Sequence, residues 1–210
     1  MGFVGGFVRR DNTIHQEVQL AEHLRKDYPS RMEVRVFANH LGRQAHQEIL
    51  RLLDTDHNGE LSGQEKLTAR IVLYGHSWGA TESIAMARSL QNDGIPVLLT
   101  VQVDSVAKLG EDDRLIPANV AQAINFYQLD GLLHGQRKIT AADPAATQIL
   151  GNVQVDYKNK RINCDGYPWY ARMFMKPHIE IESDPVVWNQ VETLIRSKLP
   201  LSAARTQDAQ

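Results

Sequence analysis

Residues 69–94 read ARIVLYGHSWGATESIAMARSLQNDG, and the division of this stretch decides the fold. ARIVLYG (69–75) contains a continuous apolar run of the kind that forms a strand buried on both faces. SWGATESIAMARSLQNDG changes to helical spacing and ends at Gly94, a residue suited to closing a helix. A buried strand therefore turns into a helix within the pentapeptide GHSWG, Gly75 to Gly79, with no loop between them.

The same alternation runs through the rest of the chain. GFVGGFV (2–8) reads as a strand and IHQEVQLAEHLRKDY (14–28) as a helix, with Ile14, Val18, Leu20, Ala21 and Leu24 at helical intervals. MEVRVFAN (32–39) alternates like a strand and LGRQAHQEILRLL (41–53) returns to helical periodicity. PVLLTVQVDS (96–105) and AINFYQ (123–128) read as further strands, and DPVVWNQVETLIRSKL (184–199) as a closing helix with Asp184 as N-cap and Pro185 at its first position. Between Gly131 and Pro177 the pattern is less regular; NVQVDY (152–157) and KRINC (160–164) are expected to pair across a short turn. Strands alternating with helices at this spacing predict an α/β fold: a doubly wound, mainly parallel sheet with helices on both faces. One domain over residues 1–200 and a frayed tail at 201–210 are expected, since no linker interrupts the pattern.

Composition narrows the function classes. The 210 residues carry 23 basic and 25 acidic side chains, a formal net charge of −2, with no basic stripe. That balance argues against nucleic acid or an anionic membrane surface as partner. The single cysteine, Cys164, excludes an intramolecular disulfide and reads as a small buried thiol. No apolar stretch approaches the ~20 residues that span a bilayer. The start MGFVGGFVRRDN lacks the charged-then-apolar order of an export signal, which makes the cytoplasm the default expectation. The sequence is silent on oligomeric state.

In GHSWG the two glycines relieve crowding around a tight turn that holds Ser77 at a strained angle and lifts its hydroxyl out of the carboxyl end of the sheet. The Trp78 amide, in the first turn of the helix, points where an oxyanion would form. Here the sequence resembles the α/β-hydrolase family, whose nucleophile elbow has this G-x-S-x-G form. The resemblance implies a serine, acid and histidine in that chain order. It assigns Asp104, at the end of the strand after the nucleophile helix, as the acid, with Asp130, Asp143 and Asp156 as rivals. It assigns His178, expected in a loop ahead of the last helix, as the base, with His134 in reserve; His76 is expected to shape the elbow or line the site. It also places a second oxyanion donor in VGGFVRRDN, where Gly5, Gly6 and Phe7 are candidates because missing side chains let backbone amides approach a substrate. The strands the family carries ahead of this loop are absent, so either a minimal version of the fold or an incomplete chain is expected, with residues 105–122 and 131–170 folding over the site. The chemistry implied is acyl transfer on a small carboxylic ester or thioester, with no organic cofactor.

DTDHNGELSGQE (54–65) raises a second function. Asp54, Asp56 and Asn58 offer oxygens at positions one, three and five, Gly59 stands at six, Glu60 supplies a carbonyl at seven, Ser62 stands at nine and Glu65 at twelve. This is the spacing of an EF-hand calcium loop, in which a hard cation gathers oxygens and the glycine lets the chain wrap around it. QEILRLLD supplies an entering helix, whereas LSGQEKLT leaves barely one exit turn before Ala69. Calcium is therefore expected as a structural brace on the strand that carries Ser77. The competing expectation is a non-catalytic calcium-binding protein that keeps a hydrolase-like fold.

Overall fold

Apolar side chains that alternate between two buried faces build the central sheet in the computed structural model, which describes residues 1–29 and 31–199. Six strands, β1 (Gly2–Val4), β2 (Val36–Ala38), β3 (Val72–His76), β4 (Val97–Val103), β6 (Val120–Tyr127) and β8 (Gln148–Gln154), lie in the order β2-β1-β3-β4-β6-β8, every pair parallel. Two short segments, β5 (Leu115–Ile116) and β7 (Thr140–Ala141), pair with each other in a separate ribbon.

Helices cover both faces. On one, α1 (Gln16–Asp27) and α7 (Pro185–Arg196) pack Val18, Leu24, Trp188 and Val191 against Val4, Val36, Val101 and Phe126. On the other, α2 (Gly42–Leu53) and α4 (Trp78–Asn92) pack Ile49, Ile84 and Leu90 against Phe3, Phe37 and Leu73. Phe3 and Val4, or Phe37 and Ala38, face opposite sides because successive strand residues do. The fold is thus the doubly wound α/β class. The chain runs from β1 outward to β2, then returns to β3 on the far side of β1. That reversal opens a crevice at the carboxyl ends of β1 and β3, where such sheets bind ligands.

Three local expectations are corrected. The first strand stops at Val4 because Gly6 takes φ +51°, outside the extended region. NVQVDY and KRINC form no hairpin: residues 148–154 instead add a parallel edge to β6, and 160–164 contribute no strand. The longer register along β6 offers a full ladder that a short hairpin cannot match. His178 lies in a helix of its own, α6 (Lys176–Ser183), with Pro177 in its first turn, where a missing N–H is tolerated. Asp184 then accepts from Val186 N–H and caps α7. A short helix α5 (Trp169–Phe174) precedes α6, and α3 (Gly63–Thr68) precedes β3. Residues 201–210, expected to fray, lie outside the described residues. Among the described residues no helix is long and apolar enough to cross a membrane.

Candidate active site

A parallel sheet brings all its carboxyl ends to one edge, and the site is assembled there. β3 ends at His76 and hands directly to α4 through Ser77, which has φ 56° and ψ −129°. That backbone is one that residues with a Cβ rarely adopt and that usually marks a functional constraint. Ser77 is the N-cap of α4, yet its hydroxyl caps no helix N–H. The two glycines of the pentapeptide are required by separate neighbours. A Cβ on Gly75 would lie 2.5 Å from the Gly79 backbone, and one on Gly79 would lie 2.0 Å from the Phe3 carbonyl oxygen.

β4, paired with β3 in register His76 to Val103, delivers Asp104 beside Ser77. Asp104 is fully buried, and its backbone is also turned to positive φ, 43°. Its carboxylate accepts hydrogen bonds from His178 Nδ1 at 2.7 Å, Gly135 N at 2.7 Å, and Gln128 through Nε2 at 2.8 Å and N at 3.2 Å. Burial pushes this carboxyl up, but the bonds from His178 and Gln128 outweigh it and hold it below the ordinary aspartate value. Because a carboxylate only accepts, His178 Nδ1 carries a proton, and in the neutral ring Nε2 then keeps its lone pair. The rival aspartates are engaged elsewhere: Asp130 accepts from Tyr157 N, Asp143 from Ala145 N and Asp156 from Lys158 N. His134 Nδ1 faces the Gly135 carbonyl.

The loop after β1 supplies the other wall. A Cβ on Gly5 would meet Ser77 Cβ at 2.8 Å, so only glycine fits against the turn. Gly6 follows in the left-handed region, and Asn39 Nδ2 donates to Gly6 O at 2.5 Å and Val4 O at 3.2 Å, fixing the loop. The Phe7 ring is exposed and meets Trp78 edge-on, with centroids 5.6 Å apart. Trp78 N–H, at the first position of α4, has no intrahelical acceptor. Ser77 and His178 line one cavity of about 820 Å³ together with Gly6, Phe7, Trp78 and Leu133. Val106, Leu133 and Tyr167 reach it from the segments expected to fold over the site.

Behind His178 lies a buried polar cluster of which the sequence singled out only His76. His76 Nδ1 is 3.2 Å from Glu182 Oε2, His15 Nδ1 meets Glu182 Oε1, and His76 N donates to Glu17 Oε1 at 3.2 Å. The available signal was helical spacing: His178 and Glu182 are four residues apart and share a face of α6. Gln128 and Gly135, which anchor Asp104, carry no comparable local mark.

The acidic loop sits at the opposite, amino end of β3, between α2 and α3. His57 and Gly59 take φ 58° and 87°, so the chain coils on itself. Asp54 accepts from Asn58 N at 3.1 Å and Gly59 N at 3.0 Å, and Asn58 Oδ1 accepts from Glu60 N at 2.8 Å. Glu65 closes a capping box with Ser62 and also accepts from Thr55 N at 2.7 Å. The Ser62 amide, with the Thr55 hydroxyl and amide, holds the Glu65 carboxyl down to about 2. Carboxylate oxygens of Asp54, Asp56 and Glu65 lie within 4.8 Å of one another. Such an all-oxygen donor set fits a hard cation such as calcium. No protein-family model and no curated protein matches the chain.

Proposed function

We propose that the protein is a serine hydrolase of the α/β-hydrolase type, acting on a carboxylic ester or thioester through an acyl-serine intermediate. The observation that carries this reading is a serine held in a strained turn, unused as a helix cap, in the same cavity as an imidazole whose Nδ1 is anchored 2.7 Å from a buried carboxylate. In this reading His178 Nε2 takes the Ser77 proton as Oγ bonds to the carbonyl carbon, and Asp104 stabilises the imidazolium. The amides of Trp78 and of Gly6 or Phe7 hold the developing oxyanion. His178 then returns the proton to the departing alcohol or thiol, and water repeats the sequence to release the acid. Asp54, Asp56, Asn58, the Glu60 carbonyl and Glu65 would hold a calcium ion, which supplies a cross-link between α2, α3 and β3 and takes no part in the chemistry.

The test is turnover of short- and medium-chain p-nitrophenyl esters, with fluorophosphonate labelling, by wild type and Ser77→Ala. Loss of both in the variant, by about 10⁴-fold or more in turnover, with folding intact, is the expected result. Equal turnover in the two proteins would remove Ser77 as nucleophile. No turnover or labelling in the wild type, together with calcium binding, would favour the calcium-binding protein.

A further inference from the structure

The hydrolase reading assigns one orienting carboxylate to His178, but the fold builds a second route to the same residue. Asp104 holds the ring. The backbone is held from the other side: His76 Nε2 lies 3.1 Å from the His178 carbonyl oxygen, and the two imidazoles pack with centroids 4.4 Å apart. A carbonyl only accepts, so His76 Nε2 must carry a proton. The other ring nitrogen, Nδ1, then faces Glu182, 3.2 Å from Oε2, and a hydrogen bond across that contact forms when the ring takes up a second proton.

Burial explains why this pairing is strict. His76 and Glu182 are each 3 % exposed at the wall of the cavity, so little water competes for their polar atoms. Two carboxyls meet here, and their environments separate them. Burial and the charge of Glu182 push Glu17 well above the usual range, leaving it neutral. Burial opposes ionisation of Glu182 too, but His76 and His15 outweigh it and hold Glu182 down to about 2. Burial lowers His76 to about 4, and the neighbouring Glu182 opposes that shift only in part. The His15 ring, edge-on to Tyr167 at 5.6 Å, closes the far side of Glu182. Helix α6 supplies both ends of the circuit, because Glu182 stands one turn beyond His178 on the same face.

We propose that His76 and Glu182 form a second positioning pair for His178, Glu182 acting through the His76 ring to fix the backbone as Asp104 fixes the imidazole. As a positioning role for the base of the reaction, this rests on the hydrolase reading. Its test combines kinetics with a signal that needs no turnover, the low-field proton NMR resonance of the His178 Nδ1–H bonded to Asp104. His76→Ala is expected to shift or broaden that resonance and to lower kcat by up to about 100-fold, as a misplaced catalytic group does, with KM little changed. His76→Gln, whose amide can still reach the His178 carbonyl, is expected to restore most of both. Glu182→Gln is expected to give a smaller loss, and the double variant His76→Ala with Glu182→Gln to be no worse than His76→Ala alone, since the carboxylate acts through the ring. An unchanged resonance and kcat in His76→Ala would overturn the proposal, as would additive losses in the double variant. Should His76→Ala not fold, the resonance and kcat of Glu182→Gln decide, and wild-type values for both would overturn it. Absence of Ser77-dependent labelling in the wild type would instead defeat the hydrolase reading, and the resonance would still decide whether the pair positions His178.

Discussion

Ser77 and Asp104 both hold positive φ, 56° and 43°, at adjacent strand ends. A side chain in such a region costs about 1–3 kcal/mol, and glycine is spared most of that cost. Ser77→Gly is therefore expected to be more stable than Ser77→Ala by about 1 kcal/mol or more in urea titrations, although both lack the nucleophile. Equal stability would mean the turn carries no strain. Asp104→Asn should lower turnover by about 10⁴-fold, as a wrong tautomer does in a serine triad; a harmless substitution would move the acid elsewhere. The same carboxylate makes a pH prediction with a definite sign. Its folded pKa lies below the unfolded one, so its contribution is complete above about pH 4, the ordinary aspartate value, and disappears as pH falls through the lowered folded value. Wild type should lose stability over that acid range more steeply than Asp104→Asn, and parallel curves would exclude Asp104 as the titrating group.

The strand-to-helix turn is the element whose local rules are strictest. Its glycines serve close packing: Gly79 lies under the Phe3 carbonyl of a neighbouring strand, and Gly75 lies against the Gly79 backbone. Gly79→Ala would place a Cβ 2.0 Å from a backbone oxygen, which cannot rotate away. A loss of about 3 kcal/mol, at the upper end of the usual overpacking range, is expected in urea unfolding. Gly63→Ala, in the first turn of α3 with open space around it, is the control and should be neutral or slightly stabilising. A mild Gly79→Ala would mean that α4 slides to make room. These positions were legible because the pattern G-x-S-x-G and its strand-to-helix context are local. Less legible was α6, since Pro177 suggests a break as readily as a first turn, and its role depends on which it is. The edge strand β8 was also hidden. QILGNVQ alternates only weakly, and the parallel partner that selects its register, β6, lies more than twenty residues earlier.

Across the whole molecule the two motifs are separated by the length of β3. From Val72 to Ser77 a strand rises about 3.3 Å per residue, roughly 16 Å in all, and the acidic loop lies beyond the Val72 end of that span. Calcium bound there would therefore act on stability and leave chemistry alone. At about 100 times its dissociation constant the ion should stabilise the wild type by about 2.7 kcal/mol, or about 5–10 °C in Tm for a chain of this size. Glu65→Gln should lose most of that shift, while chelator leaves turnover unchanged well below Tm; a wild-type Tm indifferent to calcium would remove the ion. By itself the sequence determined the alternation of strands and helices, the serine turn and the oxygen spacing of the loop, because each depends on neighbours within one or two turns of chain. Only the tertiary structure decided which groups meet. Gln128 and Gly135 reach Asp104, His178 crosses 74 positions to the same carboxylate, and Glu182 crosses 167 to His15. Those pairings come from a parallel sheet that gathers distant strand ends on one edge, and no local pattern in the chain records that convergence.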